Sequence, residues 1–97
     1  MFIAAARIRL HLPENQSLKE KRQVIKPIIT RVQNHFNVSI AEVGDQDLWQ
    51  SAELGVICVS GAAQHATEML SKVIDFIEGL RVDAQIVDYE TELIPVF

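Results

Sequence analysis

Ser17-Leu18-Lys19-Glu20-Lys21-Arg22 decides the fold, because it converts an alternating strand into a helix. The Ser17 hydroxyl stands where it can accept the Glu20 amide hydrogen, and the Glu20 carboxylate where it can reach back to the Ser17 amide, the reciprocal capping box that opens a helix. Upstream, Phe2, Ala4, Ala6, Ile8, Leu10 and Leu12 fall on one face of an extended segment, and Ile3, Ala5, Arg7, Arg9 and His11 on the other. Residues 2–12 therefore read as a half-buried strand, ended by Pro13-Glu14-Asn15-Gln16. Downstream, Leu18, Ile25, Ile28, Ile29, Val32 and Phe36 recur at helical spacing as one core-facing stripe about five turns long. Pro27 lies inside that stripe without an amide hydrogen, which predicts a kink near Gln23–Lys26, or two shorter helices in its place.

From Asn37 to Val43 the alternation returns, with Val38 and Ile40 on one face and Ser39, Ala41 and Val43 on the other. Gly44-Asp45-Gln46-Asp47 is turn chemistry, and Ser51 to Ser60 is a third strand with Ala52, Leu54, Val56 and Cys58 inward, so the two strands form a hairpin. Ala63 to Glu78 is helical through Ala66, Met69, Leu70, Val73, Ile74 and Ile77, with Gly79 as its C-terminal cap, and Val82 to Leu93 is the last strand. The order strand, helix, strand, strand, helix, strand predicts an α+β, ferredoxin-like fold. Its four-stranded antiparallel sheet carries both helices on one face, and a right-handed crossover is expected to lay the first and third strands parallel.

At 97 residues the chain is read as a single domain, residues 1–97, too small for a deeply enclosed multi-residue active site. Its 48% hydrophobic content, with 4 Gly and 3 Pro, excludes a disordered chain. The apolar start Met1–Ala6 is interrupted by Arg7 and Arg9, too early for a signal peptide or a membrane span, so a soluble cytoplasmic protein is expected. The single cysteine, Cys58, sits in the apolar run Val56–Val59 and reads as a small buried hydrophobe. A net charge of −4 repels nucleic acid from the molecule as a whole, so any such binding needs a local basic patch.

Two surfaces can carry a function. The sheet face away from the helices presents Val43, Ile57, Val59, Val87 and Tyr89, a patch that predicts a homodimer interface; a merely mottled surface is the plainer alternative. The two central strands offer that face no aromatic side chain on which bases could stack, which argues against RNA recognition through the sheet. On the first helix, Lys19, Arg22 and Lys26 form one stripe, extended by Gln33, that could contact phosphates of ribosomal RNA; an ordinary solvated face, with Glu20 and Lys21 alongside, accounts for it equally well. Glu42, Asp45 and Asp47 lack the glycine and distal glutamate of a calcium loop and are explained by the turn. His11, His35 and His65 share no ligand spacing, no serine or cysteine has a histidine at a catalytic motif spacing, and no metal, cofactor or enzymatic activity is expected. Acylphosphatases share the topology, but the loop after the first strand here is Pro13-Glu14-Asn15-Gln16 and not a glycine-containing phosphate cradle.

Ser17–Arg22, together with Phe36–Val43 and Asp47-Leu48-Trp49-Gln50, is similar to the YlxP-like family, also called DUF503, over nearly the whole chain. The helix-start phrase is the more specific part, and Pro27 departs from the uninterrupted helix usual there. The resemblance implies a small bacterial ferredoxin-like protein without established catalytic activity, often encoded beside translation initiation factor 2 and a ribosome-binding factor. On that basis the expected function is a non-enzymatic ribosome- or RNA-associated accessory factor using Lys19, Arg22 and Lys26. A ligand-sensing or protein-binding homodimer is the alternative.

Overall fold

A computed structural model describes residues 1–97 as β1 (Phe2–His11), α1 (Leu18–His35), β2 (Ser39–Gly44), β3 (Ser51–Ser60), α2 (Ala63–Glu78) and β4 (Gln85–Pro95). Ser17 caps α1 from extended backbone, its Oγ accepting the Glu20 amide hydrogen at 3.1 Å. The return bond falls one residue earlier than a strict capping box places it, for Glu20 Oε2 accepts from the Gln16 amide at 2.8 Å. α1 runs unbroken through Pro27, so the two-helix alternative is not adopted. Gly79 closes α2, its amide donating to Asp75 O.

The sheet order is β2-β3-β1-β4 with every neighbouring pair antiparallel, the ferredoxin-like α+β arrangement. The expected parallel contact of the first and third strands is therefore corrected: β1 meets β3 antiparallel, with Ala5 opposite Ile57 and Ile8 opposite Leu54. The crossover through α1 makes β2 parallel to β1, and the hairpin then reverses the chain once more before β3 pairs with β1. β4 starts three residues later than the alternation suggested, since His11, the last residue of β1, pairs with Gln85 and leaves residues 82–84 no strand to join. Val82 and Ala84 pack against the core from a loop instead.

The core is a single cluster of 18 buried hydrophobic residues between the sheet and the helices. Ile8, Leu10 and Leu12 from the β1 segment, Leu54 and Val56 from β3, Ile28 and Val32 from α1, and Val73 from α2 are its largest fully buried members. Each contributes about 1.5–3 kcal/mol by leaving water. α1 lies over β2, whereas α2 spans β1, β3 and β4. The outward face of α1 and the far edge of β4 consequently sit at opposite margins of the sheet.

Candidate functional site

Capping and apolar phase fix the rotation of α1: with Ile25, Ile28 and Val32 buried, Lys19, Arg22 and Lys26 must face outward. All three are exposed and line one shallow depression with Gln23, Pro27, Thr30 and Arg31. Arg31, and not Gln33, extends the basic stripe; it follows Pro27 by one helical turn, a spacing the sequence offered. The chain has 9 Lys and Arg residues in all. Arg7, Arg9 and Lys21 are ion-paired to carboxylates; Lys72, Arg81 and the stripe of Lys19, Arg22, Lys26 and Arg31 are not, but only the stripe gathers its cations in one depression, which no carboxylate lines.

Lys21 was expected on this solvated face and lies elsewhere. Spaced three from Leu18 and four from Ile25, it occupies the core-facing stripe, and its side chain is 3% exposed. Its Nζ donates to the carbonyl oxygens of Asp45 at 2.6 Å, Leu48 at 2.8 Å and Ser51 at 3.0 Å, and stands 2.8 Å from Glu42 Oε2. Asp45 adopts left-handed backbone, φ 57°, and its carboxylate accepts from Ser51 Oγ at 2.7 Å. Glu42 and Asp45 thus serve the hairpin loop. The loop presents Leu48 and Trp49, both about half exposed, beside His11.

On the outer sheet face the structure brings Ile57 and Val59 of β3 next to Ala5 and Ile3 of β1, and Ile3 faces Ile94 of β4. Val43 stands apart over Gly55, where an added Cβ would meet its Cγ1 at 2.9 Å. The other end of the face is ionic: Arg7 reaches Glu53 at 3.2 Å and Glu90 at 3.0 Å, and Arg9 reaches Asp88 at 3.6 Å. The apolar area is therefore terminal and not central. Tyr89 does not belong to it. A bulge between Arg9 and Leu10 leaves Val87 as the extra residue and restores the register with Tyr89 opposite Ile8, on the helix-covered side. There Tyr89 borders a groove with Leu70 and Ile74 of α2.

Comparison with known proteins agrees with the resemblance. The family model "Protein of unknown function (DUF503)" matches residues 3–91. "Uncharacterized protein YlxP" of Bacillus subtilis (strain 168) is 52% identical over 62 residues, 64% of this chain and 67% of that protein. Among solved structures, "LarC2, the C-terminal domain of a cyclometallase involved in the synthesis of the NPN cofactor of lactate racemase, apo form" superposes with a TM-score of 0.46 at 9% identity. That alignment covers 96% of this chain, which spans only 56% of the LarC2 chain.

Proposed function

We propose that this chain, which belongs to the DUF503 family, is a non-enzymatic cytoplasmic accessory factor that binds RNA, ribosomal RNA first among candidates, through the outward face of α1. One observation carries the reading: Lys19, Arg22, Lys26 and Arg31 form a patch without a carboxylate partner on a molecule whose net charge is −4. Arg7, Arg9 and Lys21, by contrast, are neutralised by carboxylates beside them. Twelve residues of helix separate Lys19 from Arg31, about 18 Å at 1.5 Å per residue, a length that matches several successive phosphates of one strand. Such contacts bind by releasing condensed counterions and read no bases.

Fluorescence anisotropy with a labelled ribosomal RNA fragment across a salt series tests the reading. Four phosphate contacts give a logarithmic slope of about −3, and Lys19→Ala/Arg22→Ala/Lys26→Ala should flatten it to about −1. A triple variant that co-sediments with ribosomal particles as the parent does, at every salt concentration, excludes this face.

The apolar end of the outer sheet, where Ile57 and Val59 are 50% and 60% exposed beside Ile3 and Ile94, favours a second reading, a homodimeric protein- or ligand-binding module. It predicts a dimer that needs no RNA.

A further inference from the structure

β4 is an edge strand of 11 residues, about twice the usual strand length, and everything from Val87 to Pro95 is exposed. Its register shows which backbone groups are free. The Val96 amide donates to Met1 O at 2.8 Å, so these opposed residues form a hydrogen-bonded pair. Such pairs alternate along an antiparallel ladder, which makes Ile94, Glu92 and Glu90 the residues bonded to β1 and turns the N–H and C=O of Tyr89, Thr91 and Leu93 away from the sheet. The same three side chains border a groove of about 340 Å³ against Leu70 and Ile74 of α2. On the opposite face β4 carries Asp88, Glu90 and Glu92. Arg9 and Arg7 engage the first two, Glu92 is in no ion pair, and the groove itself is bordered by Asp75 and by no cation.

We propose that the free edge of β4 docks an extended basic segment of a partner protein as a fifth strand. Alternate Lys or Arg side chains of that segment would face Asp88, Glu90 and Glu92, and the apolar residues between them would cover Tyr89 and Leu93 in the groove. Charge selects this occupant over a second copy of the chain. Two β4 strands joined antiparallel with their helices on the same side must oppose even-numbered residues to even-numbered ones, which sets carboxylate against carboxylate in every register in which the two 88–92 segments overlap symmetrically. The alternating acids thus block self-pairing, the common hazard of a long exposed edge, and attract a strand of opposite sign.

A labelled nonapeptide alternating lysine with valine is the probe, read by fluorescence anisotropy against two controls: the same composition with its lysines grouped at one end, and alternating glutamate with valine. The alternating basic peptide should bind at least ten-fold more tightly than the grouped one, and the acidic peptide should not bind. Thr91→Pro removes an outward amide without touching the β1 ladder and should weaken binding at least ten-fold while leaving the circular dichroism unchanged. Should Thr91→Pro not fold, N-methylation of the peptide amides that face β4 must abolish binding in its place. Glu90→Lys/Glu92→Lys should reverse the preference toward the acidic peptide. Equal binding of the alternating and grouped peptides, or a folded Thr91→Pro chain that binds normally, overturns the proposal. So does a parent dimer that Thr91→Pro dissociates, which would give the edge to a second copy.

Discussion

Four oxygens surround the three hydrogens of the Lys21 ammonium. The carbonyls of Asp45, Leu48 and Ser51 take those hydrogens, which leaves Glu42 Oε2, 2.8 Å away, to balance the charge without a well-directed bond of its own. The two partners should therefore respond unequally to substitution. Lys21→Met orphans a partly buried carboxylate and three carbonyls and should lower stability by about 3 kcal/mol, whereas Glu42→Gln should cost about 1 kcal/mol, both read from urea midpoints. Lys21 also marks the limit of reading residues by polarity. Its place in the stripe Leu18-Lys21-Ile25-Ile28-Val32 was visible, but a charge in such a stripe is legible as buried only when the oxygens awaiting it are known, and those lie 24 to 30 residues away. Cys58, by contrast, was legible, since its neighbours in sequence already make an apolar strand. Burial pushes its thiol above the ordinary value. With the folded pKa raised, its contribution to stability is fully present below the unfolded thiol value and declines as pH rises from there toward the folded one. Cys58→Ala should remove that alkaline decline from the stability–pH curve, and iodoacetamide at pH 8 should label the native thiol far more slowly than the unfolded one.

Elements follow local rules until two of them must agree. The limits of α2, the Ser17 cap that opens α1 and the Gly79 cap that closes α2 were readable because each depends on residues within a few positions. The register of β4 was not. Its alternation shifts phase at Val87, and the bulge there belongs to the pairing of β1 with β4 and not to β4 alone, so Tyr89 moved from the expected outer face to the helix side. Pro27 in α1 makes a different case. Lacking an amide hydrogen, it leaves the Gln23 carbonyl without its helical partner, and being exposed it returns little packing energy. Pro27→Ala should stabilise the chain by about 1–3 kcal/mol in urea unfolding, and a decrease would show that the ring is needed where it stands. Because Pro27 borders the basic depression, the same variant also tests whether the local course of α1 matters to that face.

At the scale of the whole molecule, the apolar end of the outer sheet makes the simplest claim. Ile57 is 50% exposed, so Ile57→Asp should leave the fold intact while placing a carboxylate between two sheets if the face is self-complementary. Light scattering should then report a parent dimer and a mutant monomer; a monomeric parent at micromolar concentration removes the dimer. Charge is arranged on the same scale. Four cations without partners stand together on α1, above the β2 margin, and at the opposite margin β4 carries Asp88, Glu90 and Glu92, of which Glu92 is in no ion pair. Such a separation contributes a dipole component across the strands, on which the field of a charged partner exerts a torque before any contact is made. A polyanion bound as proposed would turn the molecule with α1 leading, within the roughly 8–10 Å to which physiological salt confines the field. The β4 margin would then trail, open to solvent on the far side, so a strand docking there would meet the molecule from behind and would have no need to displace a partner held in front.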